Sequence, residues 1–158
     1  MILIAYDGSP DADAAIERAG QLLKGESATV LSVWEPFEDI VTRAGAGMTI
    51  GAIDWVAMDR SYQEQAAKRA EEGAERAQAA GLTAEPLIQV RRGSIVDTIL
   101  DAADAVDADA IVLGTRGLNR LKSLLLGSVS HAVLQNAGRP VMVVPSSEVA
   151  AARTEHRR

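Results

Sequence analysis

The sequence predicts a doubly wound α/β domain, a parallel sheet with helices on both faces. Two observations carry this. Short β-branched runs alternate with longer segments of helical period, the order that produces βαβ crossovers. Several of those runs are apolar without polar alternation, as in strands covered by helices on both sides. The size fits one such domain: 158 residues, 47% of them apolar. Aromatics are only 3%, so the core is built from Val, Ile, Leu and Ala.

The first run is Ile2 to Tyr6, stopped by the turn cluster Asp7-Gly8-Ser9-Pro10. Ser9 is a helix cap and Pro10 a first helical residue. Asp11 and Asp13 lie in the first turn, where the dipole favours negative charge. Ala15, Ile16, Ala19, Leu22 and Leu23 then repeat at helical spacing, and Gly25 closes the helix. Ala28 to Trp34 is the second strand. Residues 35–54 carry Pro36, Gly45, Gly47 and Gly51 and sustain no period, which predicts a long loop.

A long helix follows from about Val56 to Ala80, with Tyr62, Ala66, Ala70, Gly73 and Ala77 as a stripe of mostly small residues. Such a stripe allows close approach to a neighbour. Glu85 to Val90 is the third strand, and Arg91-Arg92-Gly93 a turn whose arginine pair is expected to be solvated. Ser94 and Asp97 form a capping box for a helix that buries Ile95, Ile99, Ala102, Ala103 and Val106. Ala110 to Leu113 is the fourth strand, Gly114 to Leu126 a basic loop, and Ser128 to Ala137 a helix presenting Val129, Val133 and Leu134 on one side. Val141 to Val144 is the last strand. The domain spans 1–146, and a loose charged tail is expected over 147–158.

Composition excludes several functions. Without cysteine there is no disulfide, thiolate nucleophile or Cys-ligated metal. The net charge of −6 argues against a broad, charge-driven nucleic-acid binder. Two histidines, His131 and His156, lie far apart, so no metal ligand set is predicted. No apolar run approaches the ~18 residues of a membrane span, and Met1 leads straight into a strand with no basic n-region. A cytoplasmic protein is expected.

In an open α/β sheet, ligands bind at the carboxyl ends of the strands, where strand order reverses. The sharpest feature falls there. Gly114-Thr-Arg-Gly117 is followed, nine residues on, by Gly127-Ser128 at a helix start. The glycines permit close backbone approach, and a helix N-terminus attracts anions. Ser128 and Ser130 add hydroxyl donors, while Arg116, Arg120 and Lys122 add positive charge. This is a phosphate cradle, or else a loop whose glycines merely end a strand and start a helix. Asp7 likewise has two readings: an acceptor for a sugar, base or metal, or an Asx-turn residue. GxGxxG after the first strand, GxxxxGK[ST] and G-x-S-x-G are all missing. No catalytic residue is assigned, and His131 is read as a partly exposed helix residue.

The spacing G-2x-G-9x-G-[S/T], here Gly114, Gly117, Gly127 and Ser128, resembles the signature of the ATP-binding group of the universal stress protein family. Ile4-Ala-Tyr-Asp-Gly-Ser9, Ala110 to Gly117, Gly127-Ser-Val-Ser130 and Pro140 to Val144 are similar to that family too, so the resemblance covers roughly 1–145. It implies a five-stranded parallel sheet of order 3-2-1-4-5. It implies ATP as ligand, with Gly117, Gly127, Ser128, Val129 and Ser130 about the phosphates and Arg116 in the loop between. Leu113 and Gly114 would lie near the ribose, Asp7 at the nucleoside, and the Val33 backbone at the adenine edge. Mg²⁺ would accompany the phosphates. The family also implies a homodimer through Val141, Met142, Val143 and Val144. The function expected is that of an ATP-binding regulatory, stress-response protein acting through a nucleotide-dependent conformation or an unknown protein partner. The alternatives are a slow ATPase or a sensor of AMP or cyclic AMP.

Overall fold

The computed structural model describes residues 1–45, 54–115 and 127–155. Five parallel strands, β1 (Ile2–Ala5), β2 (Ser27–Trp34), β3 (Thr83–Val90), β4 (Ala110–Gly114) and β5 (Val141–Val144), lie in the order β3-β2-β1-β4-β5. The order reverses between β1 and β4, as the resemblance implies.

The helices α1 (Pro10–Leu22) and α3 (Trp55–Ala79) cover one face; α4 (Ile95–Ala105) and α5 (Ser128–Asn136) cover the other. Strand pleating divides the core accordingly. Ile2, Ile4, Val30 and Val112 meet Ala12, Ala15, Ile16 and Ala19 of α1 and Ala74 and Ala77 of α3. Leu3, Leu31, Ile111 and Leu113 meet Ile99, Ala102 and Ala103 of α4 and Val133 of α5. Both layers are aliphatic, and small helix residues let the backbones come close. Gly73 of α3 sits so near the sheet that a Cβ there would lie 2.7 Å from the Tyr6 ring and 2.8 Å from Val30.

The caps are those the sequence predicts. Ser9 Oγ accepts from the Ala12 N–H at 3.2 Å, and Ser94 and Asp97 close a reciprocal capping box. Each such cap stabilises a helix by about 1 kcal/mol. The close of α1 differs: its C-cap is Leu23, not Gly25.

Other differences concern helix faces and connections. Within 35–54, Phe37–Arg43 forms a short helix, α2. Phe37 stacks on Tyr62 and tilts against Trp55, with ring centroids 6.2 and 5.4 Å apart, so aromatic contact seats two turns of helix that carry no buried residue of their own. Leu22 is exposed, since the buried stripe of α1 passes through Ala19 and Gly20 to half-buried Leu23. Ile95 is exposed at the first position of α4, and Leu134 is exposed at the edge of the stripe through which α5 buries Ser130 and Val133. Where a loose tail is expected, Ser147–Glu155 forms a helix, α6, with Val149 buried.

Candidate functional site at the carboxyl edge of β1 and β4

Register brings the predicted residues to one level. Ala5, the last residue of β1, pairs with Leu31 of β2 and Leu113 of β4. Two residues further along each chain stand Asp7, Val33 and Thr115. Because side chains alternate, all three share the face of Leu3, Leu31 and Leu113. A carboxylate, a strand-end backbone and a hydroxyl therefore converge where the strand order reverses, the position at which open α/β sheets bind ligands.

Asp7 takes the turn role: its Oδ1 accepts from the Ser9 N–H at 3.0 Å. This Asx turn, with Gly8 at φ +79°, carries the chain over the end of β1 into α1. The side chain remains half-buried at the crevice. Gly114 has a structural cause as well. A Cβ there would lie 2.6 Å from the Asp11 carbonyl carbon and 2.8 Å from the Ala12 nitrogen, so the glycine lets α1 start directly against β4.

At the other side of the crevice, Gly127 caps α5 with φ −62° and ψ 153°. Any residue adopts that conformation, so the backbone angle itself does not require glycine. No side chain caps α5 and no acidic residue lies in its first turn. Its first N–H groups, on Ser128, Val129 and Ser130, thus face outward with the positive end of the dipole. Ser128 is exposed and Val129 half-buried. Ser130 serves differently from the expected phosphate donor: its hydroxyl is buried and donates inward, to the Thr115 carbonyl at 2.7 Å, with Gly127 O also at 3.0 Å. The Gly127 N–H donates to the same Thr115 carbonyl at 2.8 Å. The two sides of the glycine-rich connection are so held together. Arg116, Gly117, Arg120 and Lys122 lie outside the described residues.

Three contributors are not legible as site residues in the sequence. Thr115 is fully buried with a hydroxyl that has no partner among the described residues. Glu35, just past β2, pairs with both Arg91 and Arg43, which ties the turn after β3 to the end of β2. Arg91 is therefore committed to an acid, while Arg92 alone is the exposed member of that pair. Arg69 of α3 lays its stem over Gly8. An i, i+4 helical pattern marks Arg69 only as a flank of the buried stripe, so nothing in the sequence singles it out. His131 is exposed on α5, as read.

The chain matches the model of the universal stress protein family over residues 1–145. It belongs to the universal stress protein family. A universal stress protein of Thermus aquaticus is 36% identical over 149 residues, covering 90% of this chain and 96% of its own. Universal stress protein YxiE of Bacillus subtilis is 30% identical over 145 residues, covering 90% and 97%. Among solved structures, protein MJ0577 superposes with a TM-score of 0.72 at 25% identity, covering 91% of this chain and 94% of its own. A universal stress protein crystallised in complex with cAMP superposes with a TM-score of 0.61 at 27% identity, covering 92% and 96%. The likeness spans the whole sheet of this universal stress protein, the crevice included.

Proposed function

We propose that this universal stress protein binds an adenine nucleotide, ATP, in the crevice between β1 and β4 and acts as a nucleotide-dependent regulatory protein. The observation that carries this is the uncapped, acid-free N-terminus of α5 facing the level of Asp7 and Val33. Exposed N–H groups at a helix N-terminus suit phosphate oxygens, and Asp7 and the Val33 backbone suit the hydroxyls and base edge of a nucleoside. Gly127 adds no side chain to that path, Leu113 and Gly114 would lie near the ribose, and Gly117 and Arg116 belong to the same glycine-rich sequence. The donor set fits a phosphate chain. A Mg²⁺ ion would rest on phosphate oxygens and water, since no three His, Asp or Glu side chains cluster among the described residues. The relative bound to cAMP supports an adenine ligand and favours a second reading, in which a monophosphate is the physiological one. A slow ATPase is a third.

The regulatory reading also draws on the described carboxylate that follows β1: one oxygen of Asp7 already accepts from the Ser9 N–H. Fast hydrolysis asks for a base aimed at water beside the phosphates. The assembly we propose is a homodimer through β5, in the cytoplasm. β5 is an edge strand of Val141, Met142, Val143 and Val144, with no charge to repel a second copy. The opposite edge, β3, carries Pro86 and Glu85, which discourage pairing. No helix among the described residues is long and apolar enough to cross a membrane.

Calorimetric titration with ATP, ADP, AMP and cAMP, each with and without Mg²⁺, tests the ligand. Tightest binding by ATP supports the proposal. Tightest binding by AMP or cAMP transfers the site to the second reading, and no binding at millimolar concentrations refutes both.

A further inference from the structure

Arg69 is a half-buried cation without a counter-ion among the described residues. Its Nε is buried and has no hydrogen-bond partner, and the side chain makes no ion pair among the described residues. Buried polar atoms in folded proteins are nearly always satisfied, so an orphaned Nε calls for a cause. A guanidinium does not escape the penalty by losing its proton, since it stays charged at any ordinary pH.

Its position supplies the cause. Gly73 of α3 rests on Tyr6 and Val30. The helix runs antiparallel to the strands, as the crossover from β2 to β3 requires. One turn earlier on α3 is Arg69, displaced by about 6 Å toward the carboxyl edge. Two residues further along the strands are Gly8 and Ser32, displaced by about the same length. The Arg69 stem accordingly passes over the turn, with its Cδ 3.8 Å from where a Gly8 Cβ would lie. Gly8 adjoins Asp7. On the same face Ser32 is 1% exposed, and its hydroxyl also lacks a partner. Two unsatisfied polar atoms, Arg69 Nε from α3 and Ser32 Oγ from β2, thus lie on the α1/α3 side of the sheet, beside and below the turn that borders the crevice.

A nucleotide bound at the crevice would bring the negative charge that this cation lacks. We propose that Arg69 is a binding residue of the crevice that recognises the phosphate charge of the bound nucleotide, with Ser32 behind it. This rests on the nucleotide-binding reading above and adds a source of selectivity to it: the guanidinium favours a nucleotide over its nucleoside.

The test uses the full chain, with Arg69→Met, Arg69→Lys and the unsubstituted protein titrated with ATP and with adenosine. Methionine keeps an apolar stem over Gly8 and removes the charge. Arg69→Met is expected to lose about tenfold in ATP affinity while adenosine affinity changes by less than about twofold. Arg69→Lys should recover part of the loss, and the thermal midpoint of Arg69→Met should equal or exceed that of the parent, because an unsatisfied buried group is gone. Unchanged ATP affinity overturns the proposal. An equal loss for ATP and adenosine also overturns it, assigning Arg69 to support of the turn alone. If the unsubstituted protein binds neither ligand, the nucleotide-binding reading itself fails.

Discussion

The Ser130 hydroxyl donates to the carbonyl of Thr115 at 2.7 Å, across the connection that separates β4 from α5. Both residues are buried, and the Gly127 N–H reinforces the contact on the same carbonyl. The start of α5 is thereby fixed to the end of β4, and with it the direction in which the helix presents its N–H groups. Ser130→Ala leaves the Gly127 bond and removes the other. It should destabilise the protein by about 1 kcal/mol in urea unfolding. Nucleotide affinity should fall with it, although the hydroxyl itself is engaged by the Thr115 carbonyl. Unchanged stability would mean that the Gly127 bond alone holds the carbonyl.

Gly114→Ala tests whether that glycine answers to packing. The added methyl meets the backbone of Asp11 and Ala12, which cannot swing aside as a flexible side chain would. Overpacking of this kind costs about 1–3 kcal/mol. Thermal unfolding without nucleotide should report it. If stability is unchanged and nucleotide affinity falls, Gly114 serves the ligand and not the fold.

Tyr6 makes a prediction about pH. Burial, then the hydrogen bond to Asp13 at 2.8 Å, pushes its phenol from 10.0 up to about 12. A raised folded-state value means the neutral phenol stabilises the fold fully below pH 10, and this contribution is lost as pH rises through about 12. The difference in absorbance at 295 nm between the parent and Tyr6→Phe should therefore titrate near pH 12. A midpoint near 10 would mean the phenol is solvated.

Glu35 bridges Arg91 and Arg43 while itself only 18% exposed. Glu35→Gln removes the charge and keeps the shape, leaving two guanidiniums facing one another. A loss of about 1–2 kcal/mol is expected, smaller in 1 M salt, where exposed charges are screened. A loss independent of salt would point to packing in place of charge.

The β5 assembly predicts that the parent runs at twice its chain mass in light scattering and that Val143→Asp halves this value while retaining its far-UV circular dichroism. An unaltered dimer in that variant would place the interface elsewhere.

Much of this was legible in the sequence for physical reasons. The strands announce themselves because they are buried on both faces, so their runs are continuously apolar. The helix starts are legible because Ser9, Pro10, Ser94 and Asp97 satisfy backbone groups in ways few residues can. What is not legible there depends on contacts distant in sequence. Leu134 and Ile95 look like core residues until the sheet shows which side of each helix it covers. The α2 helix is held by rings from α3, which no local period announces. Ser130 reads as a ligand donor until its hydroxyl is seen to meet Thr115, fifteen positions away. Arg69 and Glu35 are ordinary surface letters whose partners, or lack of them, exist only in the folded chain.

The most direct test of the central claim is to purify the full chain without added nucleotide, denature it, and identify what is released by mass spectrometry. The account predicts an adenine nucleotide, with ATP in near-stoichiometric amount if hydrolysis is slow. If nothing is released, and the emptied protein also fails to bind ATP with Mg²⁺ at millimolar concentration, the glycines at the crevice serve the fold alone and the account is contradicted.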